Sequence, residues 1–154
     1  DDRSAEVSFA EGNLACRLIE GKYPNYNSVI PQDNPNKVTV DRVSLLMALK
    51  RVSVSSNPAS GLVKLQLLKD AMMISAQDID FSTSAEERVM CQYEGMDLSI
   101  GFKGTFLIEI LSNINSGEIV LELADPSRAG VVVPVENEPE EELLMLLMPM
   151  VLND

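Results

Sequence analysis

The residues able to do chemistry are few, and their types narrow the choice. The 154-residue chain contains no histidine. That removes Ser-His-Asp and Cys-His nucleophile systems, His-ligated zinc and the commonest general base near neutral pH. Neither a P-loop nor a GxGxxG fingerprint occurs, so phosphate-cradling loops of those kinds are missing. The carboxylate pair with a suggestive spacing is Asp78 and Asp80, on either side of Ile79. Alternate residues on an extended chain share a face, so the two could hold a metal ion or work as acid and base. The plainer reading is a polar turn leaving a strand. Cys16 and Cys91 stand apart with no CxxC spacing, which fits unpaired thiols in a reducing, cytoplasmic setting. The sequence therefore points away from an enzyme, with no catalytic residue, metal or cofactor expected.

Charge and hydropathy add constraints. There are 12 basic and 24 acidic residues, a net charge of −12. Phosphate neutralisation supplies most non-specific affinity for nucleic acid, so any contact with DNA must come from a local basic patch. Hydrophobic residues make up 45% of the chain, enough for a packed core. The apolar run at 143–152, interrupted by Pro149, is too short to cross a bilayer, and Asp1-Asp2-Arg3 is a charged start, unlike a secretory leader.

The elements that must position these residues read as follows. Val7 and Phe9, then Leu14, Cys16 and Leu18, alternate with polar neighbours around a Glu11-Gly12-Asn13 turn, predicting a hairpin over 5–19. A lone hairpin is marginal in water, so it is expected to be the last piece of a preceding domain. Residues 21–36, with Pro24, Pro31 and Pro35, read as a linker. Residues 37–40 form a short strand, Asp41 caps a helix, and Leu45, Ala48, Leu49 and Val52 recur at helical spacing to about residue 54. Strands follow at 62–68, 71–76 and about 88–93. The cycle then restarts, with a strand at 97–102, a helix at 104–114 and strands at 118–123, 130–135 and 143–151. Leu107, Ile110, Leu111 and Ile114 match the first helix's apolar residues at one offset (107 − 45 = 62). The expectation is an α+β fold of two β-α-β-β-β units with pseudo-two-fold symmetry and both helices on one side of the sheets.

Two segments carry a family resemblance. Leu18-Ile19-Glu20-Gly21-Lys22-Tyr23-Pro24-Asn25-Tyr26 resembles the interdomain linker of bacterial DNA sliding clamps, the beta subunit of DNA polymerase III. Leu146-Leu147-Met148-Pro149-Met150-Val151-Leu152 resembles the same family's last strand. The resemblance covers nearly the whole chain, with residues 1–25 as the end of the middle clamp domain and 26–154 as the third. It implies a homodimeric ring around duplex DNA, without sequence specificity, helices inside and sheets outside. It also implies an apolar pocket docking peptides of DNA polymerase III, clamp-loader subunits and other proteins with a clamp-binding motif.

Residue by residue, the resemblance assigns Pro24, Ser28 and Val29 of the linker and Leu146, Leu147, Met148, Pro149 and Met150 of the last strand to that pocket, with Phe106 and Ala129 completing it. Methionine suits a surface that accepts many sequences; strand alternation predicts that some of these residues are core instead. Arg42, Lys50 and Arg51 on the first helix are the DNA-facing candidates. Val54, Ser55, Glu86 and Glu87 are assigned to the subunit interface. The chain departs from the family where Ser28 and Val151 replace arginines, where Phe106 replaces a common tyrosine, and where Asn153-Asp154 extend the tail. A more apolar pocket is expected. The competing readings are an enzyme domain using Asp78 and Asp80, and a scaffold domain with no pocket.

Overall fold

The computed structural model describes residues 3–152; the Asp1-Asp2 start and the Asn153-Asp154 tail lie outside them. The expected hairpin is present as β1 (Ser4–Phe9) and β2 (Gly12–Arg17), paired antiparallel with Val7 opposite Leu14 and Ala5 opposite Cys16. Its apolar face is bare. Val7 is 55% exposed, Phe9 60% and Leu14 59%. A single 3-10 turn, Tyr26–Ser28, punctuates the linker. Asn34 anchors its far end, with Nδ2 donating to the carbonyls of Glu122 at 2.9 Å and Ala129 at 3.1 Å.

The remainder is built from β3 (Asn36–Asp41), α1 (Arg42–Val52), β4 (Leu62–Leu68), β5 (Ala71–Asp78), β6 (Thr83–Gln92), β7 (Leu98–Lys103), α2 (Gly104–Ser112), β8 (Glu118–Leu123), β9 (Gly130–Pro134) and β10 (Met145–Leu147). The strands run in the order β10-β9-β8-β3-β6-β5-β4-β7, and every pairing is antiparallel. Alternation along β4 buries Val63, Leu65 and Leu67, and β8 buries Ile119, Leu121 and Leu123. Leu45, Leu46, Ala48, Leu49 and Val52 of α1 and Leu107 and Leu111 of α2 join them in one core.

The repeat holds at the level of register. Asn36 of β3 faces Leu123 of β8, and Leu98 of β7 faces Leu67 of β4; the offsets are 98 − 36 = 62 and 123 − 67 = 56. Both offsets recur where each helix begins. Arg42 N–H donates to Gly117 O at 2.9 Å, and Gly104 N–H donates to Gly61 O at 2.8 Å, giving 104 − 42 = 62 and 117 − 61 = 56. The seams between the halves match too. Thr39 pairs with Gln92, and Gly101 bridges Met150, so the last strand is displaced by 150 − 92 = 58.

Two strands differ from the sequence expectation. β6 begins five residues earlier than expected, at Thr83 in place of 88. The segment has little apolar alternation, but its register with β5 is closed by the 79–82 turn, where Ser82 takes a φ of 53°. The last strand is much shorter than 143–151. Pro149 has no N–H to donate, so ladder pairing ends at Leu147 and resumes only as the Met150–Gly101 bridge, where Met150 N–H reaches Gly101 O at 2.8 Å. That approach needs the glycine: a Cβ at 101 would stand 2.8 Å from Leu152 and 2.9 Å from Leu62 and the Met150 carbonyl oxygen. Helix α2 likewise stops at Ser112, though Ile114 beyond it is still buried.

Candidate partner-docking site

Because β10 is three residues long, it covers α2 only in part. Residues Phe106, Glu109 and Ile110 of α2 and Leu146, Leu147 and Met148 of β10 and its exit line an open cavity of about 400 Å³. Helical spacing of three and four puts the α2 residues on one face. Ile110, expected in the core from its periodicity, is only half-buried because it forms this wall. Strand alternation divides the other wall. Leu147 turns inward and is 8% exposed as part of the core, whereas Met148 is 60% exposed. Phe106 is 48% exposed, with the Lys103 ammonium 5.0 Å from its ring centroid, within cation–π range.

Of the ten residues expected in the pocket, Phe106, Leu146, Leu147 and Met148 come together here. Met150 is held at the β7 edge, with Pro149 at the bend before it. Ala129 is buried, and its carbonyl accepts from Asn34. Pro24, Ser28 and Val29 are exposed on the linker and do not line the cavity; the Ser28 hydroxyl donates to Asn25 O at 2.7 Å. Sequence reasoning missed Glu109 and Ile110. Their signal was their place three and four residues after Phe106 on one helix.

These elements form a recognisable whole, and comparison with known proteins agrees. The family described as DNA polymerase III beta subunit, C-terminal domain, matches residues 27–150. The chain belongs to that family. It is 30% identical over 139 residues to the beta sliding clamp of Pseudomonas aeruginosa, covering 90% of this chain and 38% of that protein. Among solved structures, the Pseudomonas aeruginosa DNA polymerase sliding clamp with ligand superposes with a TM-score of 0.92 at 28% identity, covering 99% of this chain and 40% of that one. The Bartonella birtlesii sliding clamp bound to griselimycin gives 0.91 at 29%, with the same coverage. The chain thus spans about two-fifths of the clamps it matches.

The other residues singled out for a clamp sit as follows. Arg42 is half-buried, and its guanidinium caps the C-terminal end of α2, donating to Ser116 O at 2.8 Å and Leu111 O at 2.9 Å. Arg51 forms a two-pronged ion pair with Glu87, with Nε 2.9 Å from Oε2. Hydrogen bonding to Arg51 holds the Glu87 carboxyl below its ordinary range. Lys50 is exposed. Of the three cations on α1, two are therefore partly engaged within the fold. Val54 is 84% exposed in a 3-10 turn beside β6, and Ser55 in the same turn is half-buried. Glu86 and Glu87 point to opposite faces of β6, Glu86 outward and Glu87 toward α1. From Thr83 to Met90, β6 pairs with β5 alone, since β3 reaches only Cys91 and Gln92.

The Asp78–Asp80 pair is taken up by a turn. Asp78 is 4% exposed, and its Oδ1 accepts the N–H groups of Asp80 at 3.0 Å and Phe81 at 3.3 Å. Asn57 Nδ2 lies 3.4 Å from both carboxylates. This geometry is that of a capped turn.

Proposed function

We propose that this chain is the partner-docking end of a replication sliding clamp, acting by binding and not by catalysis in the cytoplasm. Residues 1–25 then supply the closing hairpin and linker of a middle domain, and 26–154 the third domain. The bare apolar face of the hairpin and a family match that begins at residue 27 support that division. In the longer parent protein, two subunits close a ring around duplex DNA and retain DNA polymerase III, clamp-loader subunits and other proteins bearing a clamp-binding peptide. No helix among the described residues is long and apolar enough to cross a membrane.

The observation that carries the docking role is the open apolar cavity between α2 and β10. A peptide Leu or Phe buried there contributes roughly 1.5–3 kcal/mol, so affinity for this chain alone is expected to be micromolar or weaker. A fluorescent peptide with a Gln followed by apolar residues should bind, and Met148→Asp should abolish binding without unfolding, because that side chain is mostly exposed. Unchanged binding by the variant would place the pocket elsewhere. The chain alone should not retain short duplex DNA at about 150 mM salt, since its net charge of −12 opposes phosphate and encirclement needs a closed ring. Sub-micromolar retention would refute that part.

A further inference from the structure

The cavity is one end of a longer groove. Phe106, Glu109 and Ile110 line it, and a shallower depression continues along the same side of α2 at Asn113 and Ile114. The opposite wall there is the segment leading into β10, contributed by Glu136, Asn137, Glu138, Glu141 and Leu143. That segment is an ordered loop. Glu136 N–H reaches Ser116 Oγ at 3.5 Å, Leu143 N–H donates to Asn137 Oδ1 at 3.2 Å, and Glu141 N–H donates to Glu138 O at 3.1 Å. Five glutamates fall within 136–142, and no lysine or arginine follows Arg128 in the sequence. The ion pairs of the fold, Lys37 with Glu122 and Arg51 with Glu87, lie elsewhere. The groove is therefore apolar at one end and strongly anionic at the other, with Glu109 between.

The geometry points to a partner of matching chemistry: an extended peptide whose apolar anchor fills the cavity and whose Lys or Arg lies against Glu138 and Glu141. From Phe106 to Asn113 is seven helical residues, about 10 Å at 1.5 Å each, or about three residues of extended peptide at ~3.3 Å each. This inference rests on the docking role proposed above and adds the charge preference of that site. Exposed charges of this kind act through steering and modest attraction, and salt screens them.

The test uses three fluorescent peptides with one apolar anchor and Lys, Ala or Glu three residues from it. Anisotropy titrations on the chain should rank them Lys, Ala, Glu, with the Lys peptide binding about tenfold tighter than the Glu peptide at low salt. The ratio should collapse toward one at about 0.5 M salt. Glu138→Gln combined with Glu141→Gln should remove most of the ratio while leaving the Ala peptide's affinity unchanged. Equal affinities at low salt, or a ratio that survives the double substitution, overturn the charge preference and leave the docking pocket standing. Failure of all three peptides to bind overturns the docking role and this inference together.

Discussion

The grooves beside α1 and α2 are equivalent by the pseudo-two-fold, yet their linings differ in kind. Subtracting 62 from Phe106 and Glu109 gives Ser44 and Met47, and subtracting 58 from Leu146, Leu147 and Met148 gives Arg88, Val89 and Met90. Those five residues line an open groove of about 570 Å³ beside α1, together with Asp41, Val43, Arg51 and Glu87. The larger groove is the more polar. Where α2 presents Phe106, α1 presents Ser44, and the Arg51–Glu87 ion pair spans from helix to strand. Strand length decides the rest: β6 runs for ten residues along α1, while β10 ends after three and leaves the α2 wall apolar and open. Lining chemistry, not volume, separates a peptide-docking site from a sealed counterpart.

The largest expected effect concerns the groove floors. Leu147→Ala should cost about 2–4 kcal/mol in urea unfolding, since Leu147 is 8% exposed and belongs to the core. Val89→Ala, its counterpart, removes less side chain and should cost less. The reverse order would show that the α2 groove has no core floor. Next is the anchor wall. Phe106→Ser, which copies Ser44, should weaken peptide binding at least about tenfold, with unfolding free energy changed by only about 0.5 kcal/mol. Retained affinity would break the contrast between the grooves.

Helix starts sharpen the comparison further. Asp41 caps α1 by accepting from Ser44 N–H at 2.7 Å, whereas the equivalent Lys103 (41 + 62 = 103) makes no side-chain cap to α2. Asp41→Ala should therefore cost about 1 kcal/mol and Lys103→Ala much less. Hydrogen bonds from Ser44 hold the Asp41 carboxyl below its ordinary value. A lowered folded pKa contributes stability at neutral pH, and that contribution fades as pH falls through the carboxylate range. The Asp41→Ala penalty should shrink in acid; a penalty independent of pH would sink the capping account. The smallest effect is at the ion pair. Arg51→Gln should barely move the melting temperature, because exposed pairs are screened by solvent, while the Glu87 carboxyl returns toward its ordinary range in an NMR titration.

Much of this was legible in the sequence because it rests on periodicity and local chemistry. The alternation of β4 and β8, the apolar stripes of the helices, the Asp41 cap and the 62-residue offset each follow from neighbours within one element. Asp78 also announced its turn, since a short carboxylate after a strand readily accepts nearby N–H groups. Tertiary structure decided what depends on partners far along the chain. β6 starts at Thr83 because β5 offers it a ladder, not because residues 83–87 alternate. Ile110 has core periodicity but opens into the groove, since the strand that would have covered it stops before Pro149. Arg42 and Arg51 looked like interchangeable surface cations on one helix. One caps α2 and the other pairs with β6, and only the packing of sequence-distant carbonyls and a carboxylate against α1 could separate them.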